Sequence, residues 1–501
     1  MSGLILAVDQ GSSSSRCVVL DHRAEPVAMA SAPLASAFPA AGRVQHDAEE
    51  ILDGVLCCLR EALARSGADW PDVAAIGLAA QTETFVVWDA GTGRPVYPAI
   101  SWRDTRTADR CQDLRAAGHE PAVRSRTGLP LEAAFSASKL RWLLDELPGA
   151  RAAAAAGRLL FGDVGCWLTW RLSGGAVHVT DPSMASRTML FNLADGVWDE
   201  AMLGLFGIPG QMLPAVVPSA GRIAVTDASV CGGRATIGAI VGDQQAALFG
   251  HRCLTEGTAK LTMGTGAFLW CNAGLSPPGP APAGVVSTCA WRVGDQTSYA
   301  LEGFVPNAGA VTAWLRRLGV LGAEQWPLVR PGRLAGPAAG TWCVPALFGL
   351  GTPTWAPVAT ARIGGLTADS TGEDIAEAAM VGVAHQIVDA VEAVRGGLTS
   401  PVDVVRVDGG LARNDSVLQA VADLSGLCLE RTAREEVTAL GAGSLAGLGT
   451  GQWDQAALAG LPVETDRAVR PLLPPGARDA ARNAWRLALA DVVGRSAGPD
   501  S

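Results

Sequence analysis

The feature that most constrains this chain is a local design that occurs twice. Near the N-terminus an apolar run, Leu4-Ile5-Leu6-Ala7-Val8, ends at Asp9-Gln10-Gly11 and four serines, then returns after Arg16 as Cys17-Val18-Val19-Leu20. Much later, Lys260-Leu261-Thr262-Met263 meets Gly264-Thr265-Gly266 and returns as Ala267-Phe268-Leu269-Trp270. Strand, Gly/hydroxyl turn, strand predicts a β-hairpin each time. Recurrence at long spacing is the mark of an internal duplication, so two similar domains are expected, each carrying one hairpin. The 501 residues give both an ample core. The break falls near residues 245 to 255, dividing the chain into domains 1–248 and 249–501.

The intervening sequence carries ordinary helix and strand signals. Asp47, with Glu50 three residues on, reads as a capping arrangement before Ile51, Val55, Leu59 and Leu63 at helical spacing. A second amphipathic run covers Ile375 to Val394. Short apolar strands, Ala75 to Leu78 and Val404 to Val407, alternate with these helices, which predicts α/β architecture with partly parallel sheets.

Composition then narrows the function. The chain is 49% hydrophobic with a net charge of −10, which excludes a disordered protein and an electrostatic nucleic-acid binder. The apolar start is cut short by Asp9, unlike a signal peptide, and no run reaches the ~18 apolar residues of a membrane span, so a cytoplasmic protein is expected. Eleven scattered cysteines contain no C-x-x-C pair, so neither a disulfide framework nor a zinc site is indicated. The six histidines show no metal-ligand spacing, and no G-x-S-x-G elbow marks a serine hydrolase. The only lysines, Lys139 after Ser138 and Lys260 after Ala259, exclude a Gly-Lys-Ser/Thr P-loop. A nucleotide, if bound, is held by another device.

Several strand ends supply that chemistry. Asp9 precedes a turn whose backbone N–H groups and hydroxyls suit phosphate oxygens, and its carboxylate suits Mg²⁺; alone, the same pattern also describes a solvated hairpin tip. Asp408-Gly409-Gly410 follows a strand and precedes a helix beginning near Asn414 or Asp415, either a ligand-approaching turn or a tight connection. Asp243 lies where Ile237 to Gly242 runs into Gln244 to Phe249, as a helix N-cap or as a general base at a strand's carboxyl end. A hairpin over Phe85 to Ile100, folded about Thr92 and Gly93, sets Glu83 beside Trp102. A carboxylate beside a flat apolar face suits a polyol or sugar, although Trp102 is equally explained as core.

Taken together, Asp9 to Arg16, Gln81-Thr82-Glu83-Thr84, Ser101 to Arg106, Phe135 to Trp142, Thr180 to Asn192, Gly242 to Gly250 and Val407 to Asn414 resemble the FGGY carbohydrate kinase family, and within it the glycerol kinases, from Asp9 to about Trp453. The resemblance implies two actin-like, ribonuclease H-like ATPase domains with ATP and polyol meeting in a central cleft. By position, Asp243 resembles the family's base, with Asp9 and Asp243 at the Mg²⁺ and Arg16 near the transferred phosphate. Ser12, Ser13, Ser14, Thr265, Gly309, Gly410 and Asn414 resemble its nucleotide site. Glu83, Trp102, Asp243, Gln244 and Phe268 resemble its polyol site. Family likeness also implies a homo-oligomer, dimer or tetramer.

Two departures bear on the substrate. Thr82 stands where glycerol kinases have Arg, and Ala134 where they have Tyr. Losing a guanidinium and a phenol weakens glycerol binding by a few kcal/mol unless replaced, at ~1.5–3 kcal/mol per charged hydrogen bond, and it widens the pocket. A family glutamine in the nucleotide region is also replaced, by Ala313. The expected function is an ATP-dependent kinase of a polyol, with glycerol first on overall resemblance. The alternatives are a kinase of a tetritol, pentitol or pentulose, and a catalytically silent sugar sensor, against which the presence of both Asp9 and Asp243 argues.

Overall fold

The computed structural model describes residues 3–330, 332–334 and 340–496; the extreme ends of the two expected domain ranges, 1–2 and 497–501, lie outside the described residues. Its backbone is a thirteen-stranded mixed sheet with helices on both faces. The first hairpin forms as Leu4–Gln10 and Ser14–Leu20, closed by Gly11 N–H to Ser14 O at 2.9 Å. The second forms as Ala259–Met263 and Ala267–Asn272.

The duplication is visible strand by strand. In the first half, Pro26–Pro33, Ser14–Leu20 and Leu4–Gln10 run antiparallel in turn. Val73–Ala80 and Thr236–Gly242 then add in parallel, and Ala220–Val225 closes antiparallel. The second half repeats this order and sense with Gln296–Val305, Ala267–Asn272, Ala259–Met263, Val404–Asp408, Cys428–Thr432 and Thr465–Val469. Val286–Val293, pairing with Gln296–Val305, links the halves through the single pair Ala220↔Val293.

Helices cover this sheet by burying one face each. Ala48–Ser66 buries Ile51, Val55, Leu59 and Leu63, all 4% exposed or less, each contributing about 1.5–3 kcal/mol. Asp47 caps it by accepting from Glu49 N–H. Glu50 does not reach back to complete the expected capping box; it accepts instead from Ala35 N–H at 3.2 Å, because the adjoining segment offers a free donor. Val437–Thr450, rich in Gly and Ala, belongs by sequence to the second half but lies on first-half strands and on the helix Asp243–Gly250. That contact is backbone to backbone, since a Cβ on Gly441 would overlap the Ala246 carbonyl.

Between Val73–Ala80 and Thr236–Gly242 the first half carries a large insertion with several helices and three strands of a four-stranded sheet, whose fourth strand is the earlier Gln45–His46. There Phe85 pairs with Ile100, the register of a hairpin centred between Thr92 and Gly93. All eleven cysteines are free. Among the described residues no helix is long and apolar enough to cross a membrane.

Candidate active site

Three neighbouring parallel strands, Leu4–Gln10, Val73–Ala80 and Thr236–Gly242, end on one edge, and the side chains just at or past their carboxyl ends are Asp9, Thr82 with Glu83, and Asp243. This is where α/β sheets present ligand-binding groups. A cavity of about 330 Å³ opens there, lined by Ser12, Thr82, Glu83, Trp102, Ala134, Asp243, Gln244 and Phe268 among others. Seven of the expected substrate and catalytic positions thus meet in one place with Ser12 of the first hairpin turn.

Asp243 is the first residue of the helix Asp243–Gly250, whose N-cap is Gly242 with no side-chain cap. Its Oδ1 accepts from Gln244 N–H at 2.7 Å. Desolvation pushes the carboxyl up to about 7, reinforced by the negative charges of Asp9 and Glu83. Asp9, opposite Arg16 in the hairpin register, is raised to about 6 by desolvation, against the pull of Arg16. Two desolvated carboxylates, the charge of Asp9 raising Asp243, form a donor set suited to a divalent cation. A pair of carboxylates suits Mg²⁺, which keeps waters and takes its remaining oxygens from phosphate.

Glu83 sits at φ 62, in a sparsely populated region for a residue with a side chain. Thr84 N–H bonds to Thr82 O at 2.8 Å, the i→i+2 bond of a γ-turn, which aims the carboxylate into the cavity. Thr82 Oγ1 donates to Glu83 Oε2 at 2.7 Å, and Arg187 Nε donates to Glu83 Oε1 at 2.6 Å. Thr82 therefore serves Glu83 rather than presenting a free donor. Trp102 N–H is held by Thr84 Oγ1 at 3.1 Å. Lys139 Nζ ties the Trp102 and Ala134 segments together by donating to Ser101 O at 3.0 Å and Ala134 O at 2.7 Å.

The second half supplies the opposite wall as cross-strand rows. Lys260, Trp270 and Glu302 stand in register on adjacent strands, and Thr262, Phe268 and Phe304 form the next row. Lys260 Nζ donates to Gln244 Oε1 at 2.5 Å and Thr262 Oγ1 at 3.0 Å. Because its carbonyl end is taken, Gln244 presents its NH₂ to the cavity. Asp408 follows in the same row as Thr262 and accepts from His251 at 2.7 Å.

The expected nucleotide positions lie on the three strand-end turns. Ser12 and Ser14 are half-buried and Ser13 and Thr265 exposed. Thr265 O accepts from Ala308 N–H and Ala310 N–H, so the helix Gly309–Arg317 starts against the Gly264 to Gly266 turn. Gly409, at φ 93, brings the third turn against Met263, where a Cβ would stand 2.6 Å from the Met263 carbonyl. Gly410 is exposed. Asn414 caps Asp415–Ser425 and donates from Nδ2 to Pro327 O at 2.8 Å, so its amide is already committed within the protein.

Sequence reasoning did not single out Arg187, Glu302, Lys260, Trp270 or Trp355 as site residues. Arg187 pairs with Glu83 on one side and with Glu302 on the other, Nη1 to Oε2 at 2.8 Å. Its guanidinium lies 5.4 Å from the Phe135 ring and 5.4 Å from the Trp270 ring. Lys260 and Trp270 stand on the second hairpin itself, but that they face one another and Glu302 depends on strand pairing; Arg187 comes from a loop.

Comparison with known proteins agrees with this architecture. Residues 4–250 match the model of the FGGY family of carbohydrate kinases, N-terminal domain, and residues 259–449 that of its C-terminal domain. The chain is 44% identical over 494 residues to a glycerol kinase of Koribacter versatilis, covering 98% of each, and 42% identical over 490 residues to one of Thermus brockianus, again 98% of each. Its fold superimposes on the Plasmodium falciparum glycerol kinase with ADP at a TM-score of 0.90, with 27% identity over 98% of both chains. A xylulose kinase from Lactobacillus acidophilus shares the fold at a TM-score of 0.84 and 21% identity, covering 99% of this chain and all of that one.

Proposed function

Since the chain belongs to the FGGY family of carbohydrate kinases, a two-domain actin-like ATPase fold, we propose that it transfers the γ-phosphoryl group of ATP to a terminal hydroxyl of glycerol, giving glycerol 3-phosphate and ADP. It is a phosphotransferase with an alcohol acceptor. The observation that carries the reaction is Asp243, whose carboxyl is raised to about 7 beside Glu83 and Gln244 in the cavity, the tuning a general base needs near neutral pH. The glycerol assignment is supported by the glycerol kinases to which the chain is 41–44% identical over nearly its full length.

In this reading Glu83 accepts hydrogen bonds from the polyol hydroxyls, the Gln244 NH₂ donates to them, and Trp102 and Phe268 bracket the carbon chain. Asp243 takes the proton of the attacking hydroxyl as its oxygen bonds to the γ-phosphorus and the bond to the β-phosphate oxygen breaks. Arg16 neutralises charge on the transferred group. Ser12, Ser13, Ser14, Thr265, Gly309, Gly410 and the Asn414 turn form the nucleotide side, where positioning and charge neutralisation do most of the work of phosphoryl transfer. Asp9 and Asp243 are the carboxylates for Mg²⁺, which supplies charge neutralisation on the phosphates. We divide these roles between halves 1–248 and 249–501, and place the enzyme in the cytoplasm as a dimer or tetramer on family likeness.

The test is ADP release with Mg-ATP, with and without glycerol. Glycerol-dependent ADP formation is expected in the wild type, and a loss of at least about 10³-fold in Asp243→Asn with an unchanged melting transition, in line with removal of a general base. Near wild-type turnover in that variant would remove Asp243 from the mechanism.

A further inference from the structure

Two side-chain pairs on the cavity wall join the halves of the molecule. At the inner end Arg187 of the first half pairs with Glu302 of the second, their side chains 7% and 8% exposed. At the other, Trp355 of the second half donates from Nε1 to Glu132 Oε1 of the first at 3.1 Å. The Glu132 side chain is 32% exposed, so this pair marks the outer rim. The reaction as described above uses neither Glu132 nor Trp355.

Trp355 reaches that carboxylate from an unusual backbone. It sits at φ 48, where a bulky side chain is rarely found, and such a conformation persists only where its surroundings over-determine it. Here they do. Trp355 N–H bonds to Gly351 O at 2.7 Å, Thr352 N–H donates to Phe304 O at 2.8 Å, and Thr352 Oγ1 accepts from Phe304 N–H at 2.9 Å. A Cβ on Gly351 would stand 2.1 Å from the Phe304 carbonyl oxygen, so the turn lies hard against the second wall and sends its indole across to the first. There Arg115 Nη2 donates to the same Glu132 Oε1 at 2.9 Å and fixes the acceptor. An N–H on a carboxylate makes a charge-assisted bond, while the indole face stays apolar. Ala134, two residues from Glu132, gives the same wall only a methyl group, which leaves the indole as the large apolar surface beside it. Ser12 is the only expected nucleotide position among the described lining residues, so the bridge bears on the polyol and not on ATP. Resting on the kinase reading above, we infer that Trp355 is a specificity-determining wall of the polyol site, held across the rim by Glu132 as its positioning residue, and that this bridge retains the bound polyol.

The experiment is a double-mutant cycle on Trp355→Phe, which keeps an aromatic face without the N–H, and Glu132→Ala, which removes the acceptor. Steady-state kinetics gives KM for glycerol and for ATP in the wild type, both single variants and the double variant. Each single variant is expected to raise the glycerol KM about tenfold, the effect of one charge-assisted hydrogen bond, with the ATP KM within about twofold of wild type. The double variant should also show about tenfold, because both changes delete the same bond. An unchanged glycerol KM in either single variant, an additive effect of about a hundredfold in the double, or an ATP KM that rises in step overturns the inference while leaving a glycerol kinase. If the wild type forms no ADP with glycerol, the kinase reading fails and the polyol role falls with it. Hydrogen exchange without substrate then judges the bridge itself: amides of Trp355 and Ala356 exchanging about tenfold faster in Glu132→Ala support it, and equal rates overturn it.

Discussion

Lys260 fixes the orientation of Gln244, a residue of the proposed polyol site. Its buried ammonium holds Gln244 Oε1 and Thr262 Oγ1, and burial pulls its pKa down against the charges of Asp408 and Asp243. Lys260→Met frees the Gln244 amide to turn and is expected to lower kcat/KM for glycerol at least about tenfold, the effect of one misdirected hydrogen bond to substrate. Lys260→Arg should not restore it, because a planar fork cannot replace a compact tetrahedral donor in a filled site; steady-state kinetics on both variants checks this, and full rescue by arginine would contradict it. The pH profile belongs to the same scale. As the proposed base Asp243 would act only when deprotonated, and its pKa is raised to about 7, so kcat/KM is expected to climb as pH rises from 6 through about 7 and then level off. A profile flat from pH 5.5 to 8 would contradict this. Asp9 and Asp243 were legible as candidates because each stands at a strand end, although the pattern alone read equally as a hairpin tip and a helix N-cap. Lys260 and Glu302 were not, because their roles depend on which residue faces them across a strand, and Arg187 was not, because a loop set its direction.

At the level of elements, the two hairpins, the Ala48–Ser66 and Gly372–Arg395 helices and the Phe85 to Ile100 register follow from periodicity and turn residues, which act locally. What local patterning does not convey is that Val437–Thr450 returns to the first half, since small residues mark a close contact without naming its partner. The consequence is testable at Gly441. A methyl there collides with the Ala246 carbonyl, in the helix that Asp243 begins, so Gly441→Ala is expected to destabilise the protein by about 1–3 kcal/mol as an overpacked contact. Urea titration reads the stability change, and kcat for the same variant should fall as well because Asp243, the proposed base, moves with its helix. Unchanged values of both would show that the contact yields freely.

Across the whole molecule, order and sense of six strands repeat between the halves, so the duplication predicted from two turns extends through both halves of the thirteen-stranded sheet. The cleft faces are not equivalent: the first half contributes the carboxylates Asp9, Glu83 and Asp243, the second a wall of rows around Trp270 and Phe268, with Arg187 spanning from Glu83 to Glu302. That spanning contact escaped the sequence for the same reason as its residues, since it joins positions 83, 187 and 302 through tertiary structure alone. One more property follows from the whole chain having only two lysines, each with no exposed surface. The native protein offers no lysine amine to solvent, so an amine-directed acylating reagent becomes a reporter of opening. Lys139 and Lys260 should stay unmodified in the folded state and react together as denaturant is raised, with mass spectrometry following the two peptides. Labelling of Lys260 ahead of Lys139 would mean that the second wall of the cleft opens first.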